Sequence, residues 1–110
     1  MELLNIIIET LDKGKANDIV TIDFRNENPL CDYFVVCDAL SNRQVNALAD
    51  SVEVALIEAG HKLKEQERQK DSNWILLDAY DVVVHIFETG TRSQYNLEKL
   101  YQDYLNEAVL

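Results

Sequence analysis

Glycine is scarce in this chain. Its three glycines, at positions 14, 60 and 90, each stand alone, so no glycine-rich loop is available to wrap a phosphate. No Gly-Ser turn precedes a pair of closely spaced carboxylates, which leaves out the usual metal-dependent centre for nucleotide transfer. Cysteine is equally sparse. Cys31 and Cys37 lie in or beside an apolar run, make no Cys-x-x-Cys pair and are too few for a disulfide framework, so a reducing cytoplasm is the expected home. His61 and His85 fall in different segments, so no metal-ligand spacing emerges and neither a metal nor another cofactor is expected. No apolar stretch approaches the roughly 18 residues of a membrane-spanning helix. The start, Met1-Glu-Leu-Leu-Asn-Ile-Ile-Ile-Glu, carries acids where a signal or transit peptide would not. A soluble protein with no membrane partner is expected.

Basic charge is the other deficit. Ten Lys and Arg stand against twenty Asp and Glu, a net charge of -10. Most of such a surface repels nucleic acid and attracts a basic protein, so no sequence-specific nucleic-acid contact is expected. Lys62, Lys64, Arg68 and Lys70 form a basic cluster that could touch a phosphate and reads more simply as a solvated strand and loop.

What is present is enough apolar residue, 47% of 110 positions, for one packed core and one domain spanning residues 1–110. Leu3, Leu4, Ile7, Ile8 and Leu11 recur at helical spacing before Gly14. Ile6 widens that apolar face and leaves a homodimer in the free state open beside the simpler reading of a broad core face. Strands are predicted over Asp18–Phe24 and Asp32–Asp38, joined as a hairpin by a turn around Asn26-Glu-Asn-Pro29. Ser41 with Gln44 makes a capping box for a helix that carries Val45, Leu48, Ala49, Val52, Leu56 and Ala59 and stops at Gly60. Alternation over His61–Glu67 suggests a charged edge strand. Trp74–Asp78 and Val82–Phe87 read as a tight hairpin at the sheet centre. A last helix is predicted from a Thr91–Gln94 capping box through Leu97, Leu100, Tyr101, Tyr104, Leu105 and Ala108. The order α-β-β-α-β-β-β-α implies an α/β (α+β) fold with a mixed central sheet of about five strands and helices packed on it.

Three kinds of chemistry can be weighed against these elements. Cys37 and His85 could meet only by long-range packing, no nucleophile elbow precedes any serine, and Cys37 reads as a small core residue. Asp78 and Asp81 flank a turn and read as hairpin residues. His85 shares a strand face with Val83 and Phe87 and is read as a structural histidine hydrogen-bonded to a neighbouring side chain such as an acid. Trp74, Tyr80, Tyr95 and Tyr101 are candidate binding aromatics that could equally cover the core.

Three runs in order carry a resemblance. Trp74-Ile-Leu-Leu-Asp78, Val83-Val-His-Ile-Phe87 and Arg92-Ser-Gln-Tyr95-Asn-Leu97-Glu98-Lys-Leu100-Tyr101 resemble the W-x-x-x-D, V-H-x-F and R-x-x-Y-x-L-E-x-L segments of the ribosomal silencing factor (RsfS/iojap) family. Asp32-Tyr-Phe-Val-Val, Ser41-Asn-Arg-Gln44 and Glu67 fall where that family has D-Y-F-V-I, S-x-x-Q and a Glu. Arg68, Tyr80 and Tyr101 depart from it, standing where Gly, Gly and Trp are common. The resemblance implies a nucleotidyltransferase-like fold without catalytic residues, hence not an enzyme. It further implies a cytoplasmic translation repressor that binds the large ribosomal subunit through that subunit's protein fourteen and sterically blocks joining of the small subunit, with relatives linked to ribosome biogenesis. Residue by residue it places a docking surface at Trp74, Asp78, His85, Phe87, Tyr95, Leu97 and Glu98. The competing readings are a small nucleotidyltransferase-like enzyme and a generic protein-interaction module.

Overall fold

A computed structural model describes residues 1–64, 68 and 71–105. The chain opens with helix α1 (Glu2–Lys13), which buries Leu3, Ile7 and Leu11, one residue per turn on a single face. Ile6 also packs on this core, which accounts for the width of the apolar face. Strands β1 (Asn17–Asp23) and β2 (Tyr33–Ala39) then pair antiparallel, as the turn between them predicts. Helix α2 (Asn42–Glu58) follows, with the Ser41 hydroxyl accepting from the Gln44 backbone N–H at 3.2 Å. Val45, Leu48, Ala49, Val52 and Leu56 form its buried stripe.

Strands β3 (Trp74–Asp78) and β4 (Val82–Glu88) complete a sheet of order β1-β2-β4-β3. β2 and β4 run parallel and the outer pairs antiparallel, so the sheet is mixed. Two expectations need correcting. The described sheet has four strands, not about five, because His61–Lys64 forms no strand; its contact with β3 is the Lys64 N–H donating to the Asp78 carbonyl at 2.9 Å. Residues 65–67 of that predicted strand lie outside the described residues. The β3–β4 hairpin is also not central as a unit: β4 is an inner strand, buried on both sides, whereas β3 is an edge. Both are apolar and short, and composition does not separate an edge strand with one covered face from an inner one.

The last predicted helix is divided. Helix α3 (Thr89–Tyr95) ends at Asn96, whose φ of 47° is left-handed, and α4 (Leu97–Leu100) and a 3-10 turn (Gln102–Tyr104) follow. Asn is one of the few residues that enter this conformation at modest cost, so it ends the helix inside an otherwise continuous apolar stripe. The cap is not Thr91 with Gln94 but the Glu88 carboxylate, which accepts from the N–H groups of Gly90 and Thr91 at 3.1 and 3.2 Å. Ala108 lies outside the described residues.

Alternation divides the sheet into two faces. Val35, Cys37, Ala39, Ile75, Leu77, Val82, Val84 and Ile86 pack under α1 and α2. On the other face Ile22, Val36 and Phe87 are buried with Phe24 and Cys31 beneath Leu97, Tyr101, Tyr104 and Leu105. Where α1 ends, Gly14 approaches α2 so closely that a Cβ would stand 2.5 Å from Leu48 Cδ2. Leu48 is buried and cannot swing into solvent. Gly14→Ala should therefore lower unfolding free energy by about 1–2 kcal/mol, since overpacking outweighs the entropy that alanine removes from the unfolded chain. Equal urea midpoints for variant and parent would contradict this.

Candidate functional site

The C-terminal ends of β2 and β4, the start of β3 and helix α3 meet at one end of the second face. Trp74, first residue of the edge strand, stacks on Phe87 (centroids 4.9 Å apart) and leans against Tyr95 of α3 (5.0 Å). Its indole N–H donates to His85 Nδ1 at 3.2 Å. The neighbouring side chain to which His85 is hydrogen-bonded is thus an indole, and not an acid. His85 is 4% exposed, and burial pushes its pKa down to about 4, so the ring is neutral and, with Nδ1 accepting, carries its proton on Nε2. Nε2 is buried with no partner among the described residues. Phe34 stands against the ring at 4.5 Å, and Tyr101 and Phe24 extend the aromatic row toward β1.

At the other end of β3, Asp78 is half-buried. One carboxylate oxygen accepts from the Tyr80 N–H at 2.9 Å and the other lies 3.7 Å from Lys64 Nζ. Tyr80 is exposed and has a left-handed φ of 68°. That conformation is one that glycine adopts without strain.

Across α3 from Trp74 lies a network that the sequence did not reveal. Arg92 donates to Asp38 Oδ2 at 2.8 Å, to Glu98 Oε1 at 3.2 Å and to the Asn17 carbonyl at 3.3 Å. Thr89 donates its hydroxyl proton to Asp38 Oδ1 at 2.9 Å. Asp38 and Arg92 are both buried. Beside them the β1–β2 ladder is irregular between Asn17 and Val20, and Asp18 has a left-handed φ of 47°. The gap opens into a cleft of about 530 Å³ lined by Asp18, Asp38, Thr89, Arg92, Ser93 and Glu98, among others. Read in sequence, Asp38 was a strand end and Arg92 a helix residue 54 positions away. No local signal joins them.

The predicted site residues therefore fall into distinct environments. Trp74 and Tyr95 touch, and Tyr95 is 54% exposed. His85 and Phe87 lie buried behind them. Leu97 is half-buried against the second core, Glu98 is engaged by Arg92, and Asp78 stands at the far end of β3. Leu76, between Trp74 and Asp78 on the same strand face, is 37% exposed and was not singled out in the sequence, although strand alternation alone places it there. Cys37 and His85 point to opposite faces of the sheet, so they form no dyad, and burial pushes the Cys37 thiol up to about 12. Among the described residues no three His, Cys, Asp or Glu side chains gather as metal ligands, and no helix is long and apolar enough to cross a membrane.

The model of the family described as "Ribosomal silencing factor during starvation" matches residues 1–109. The chain belongs to the ribosomal silencing factor family. Ribosomal silencing factor RsfS of Bacillus subtilis is 38% identical over 101 residues, covering 92% of this chain and 86% of that protein. The Haemophilus influenzae RsfS is 36% identical over 101 residues, covering 92% of this chain and 99% of that one. A crystal structure of a Chromobacterium violaceum protein, 39% identical, superposes with a TM-score of 0.86 over 92% of this chain and 84% of its own. Membership in this family places the chain among proteins named for translation regulation. The segments that carried the resemblance also have a physical reading. The Arg92 and Glu98 of R-x-x-Y-x-L-E are bonded to each other across the Asn96 break, and the Trp74 and His85 of W-x-x-x-D and V-H-x-F are bonded to each other across the β3–β4 ladder.

Proposed function

We propose that this protein acts in the cytoplasm by binding the large ribosomal subunit through that subunit's ribosomal protein fourteen, and that by occupying that site it sterically blocks the small subunit from joining and so represses translation. The observation that carries this reading is the family match over residues 1–109. The charge of -10 supports it, since an acidic protein approaches an RNA-rich particle more readily through a basic ribosomal protein than through bare phosphate. The docking surface is drawn from Trp74, Asp78, His85, Phe87, Tyr95, Leu97 and Glu98. Tyr95, Trp74 and the neighbouring Leu76 supply apolar contact and Asp78 a carboxylate for a partner cation. His85 and Phe87 support Trp74 from behind. Leu97 and Glu98 hold the C-terminal segment in place through the second core and Arg92.

The purified protein should co-sediment with isolated large subunits and not with small ones, and its addition should reduce the yield of joined ribosomes. Tyr95→Ala, at an exposed position, should weaken large-subunit binding about tenfold or more while leaving the unfolding midpoint near that of the parent. Absence of association with any ribosomal particle would overturn the proposal.

A further inference from the structure

Among the described residues Trp74 sits on an edge strand, paired with β4 on one side, next to the exposed Leu76 and Tyr95. Indole side chains in such places ordinarily sample several rotamers, and each that a partner must freeze weakens binding. Here the ring is fixed at two points: its face lies on Phe87 and its N–H is held by His85 Nδ1 at 3.2 Å. The aromatic rings in contact with His85 are those of Phe34, Trp74 and Phe87, and of these only the indole carries a donor. His85 itself is held by β4, paired on one side with β2 and on the other with Leu76 of β3.

From this geometry we infer that His85 is a positioning residue, which by accepting the indole N–H at Nδ1 pre-sets the orientation in which Trp74 is presented to the protein partner. The inference rests on the docking surface proposed above. His85 makes no contact with the partner in this scheme; it lowers the entropy lost on docking by making the bound orientation of Trp74 the resting one. The acceptor at the δ position is what matters, and not the imidazole as such. Asparagine carries an oxygen at nearly that position, whereas leucine of similar size carries none.

Because Trp74 is the only tryptophan in the sequence, its indole N–H gives one resolvable proton–nitrogen resonance that reports the hydrogen bond directly. In His85→Leu that resonance should move toward the position of a solvent-exposed or unbonded indole, and affinity for isolated large ribosomal subunits should fall about 3–10-fold. In His85→Asn both should stay close to the parent. A Trp74→Phe chain, which keeps a ring but lacks the N–H, should bind equally well with His85 or Leu at position 85, because the bond that couples the two sites is gone. An unmoved resonance in His85→Leu, equal loss of affinity in His85→Asn and His85→Leu, or the same penalty for His85→Leu in the Trp74→Phe background would each overturn the inference. Failure of the parent protein to bind large subunits would overturn the partner and with it the presentation role, and the resonance would still decide whether His85 orients Trp74.

Discussion

Replacing Arg92 with Met should lower the unfolding free energy by about 3–5 kcal/mol, the usual consequence of leaving one member of a buried ion pair without its partner. Asp38 would keep only the Thr89 hydroxyl at one oxygen, and its other oxygen would face the emptied guanidinium position in a region where both residues are buried. Glu98 would also be released, and with it the tie that holds α3 to α4 across Asn96. Adding Asp38→Asn should recover a substantial part of the loss, because the charge that has become unpaired is then removed while an acceptor for Thr89 remains. Urea unfolding of the parent, the single and the double variant measures this. A single-variant loss below about 1 kcal/mol would mean that water from the adjacent cleft solvates Asp38, contrary to a dry ion pair.

Acid should destabilise the protein through His85, which is buried without a charge. Its folded-state pKa is lowered from 6.5 to about 4 by burial, so between those two values the unfolded chain binds a proton that the folded chain refuses. Stability is therefore fully present above the unfolded value near 6.5, and falls as pH drops from there toward 4. From pH 7 to 4.5 the loss should be about 2–3 kcal/mol, given that one pKa unit corresponds to about 1.4 kcal/mol. His85→Asn has no proton to take up at that position, so its stability should be flatter over the same range. Denaturant titrations at several pH values would reveal an equal slope in the two chains if the effect arose elsewhere.

Much of this arrangement is legible in the sequence because it depends on local patterns. The stripe on α2 and its Ser41 cap, the β1–β2 hairpin, and the shared face of Val83, His85 and Phe87 follow from periods of 3.6 and 2 and from capping chemistry. What was not legible depends on tertiary neighbours. Whether β3 is an inner or an edge strand is decided by which strand pairs with β2, and that partner is β4, about forty residues further along the chain. Phe87 and Tyr95 are both aromatic residues of the segments that carry the resemblance, yet one is fully buried and the other mostly exposed, because Phe87 lies on the inner strand β4 beneath Trp74 whereas Tyr95 is the last residue of α3. The Arg92–Asp38 pair joins residues whose separation in sequence carries no periodic signal. His85 was recognisable as structural from its strand position, but its bond to Trp74 needed the register that sets Leu76 opposite His85 and Trp74 opposite Phe87.

The parallel pairing of β2 with β4 also bears on the order in which the chain can fold. β1 and β2 close through the loop of residues 24–32, and β3 and β4 through the tighter turn of residues 79–81, so both hairpins are local events with modest loop entropy to overcome. Joining them requires α2 to cross over first and bring the two halves together. During synthesis the inner edge of β2 therefore remains open until β4 has emerged, and a chain stopped before residue 82 would carry an unpaired, strongly apolar strand edge. Fragments ending there should aggregate or be degraded, so that only completed molecules accumulate.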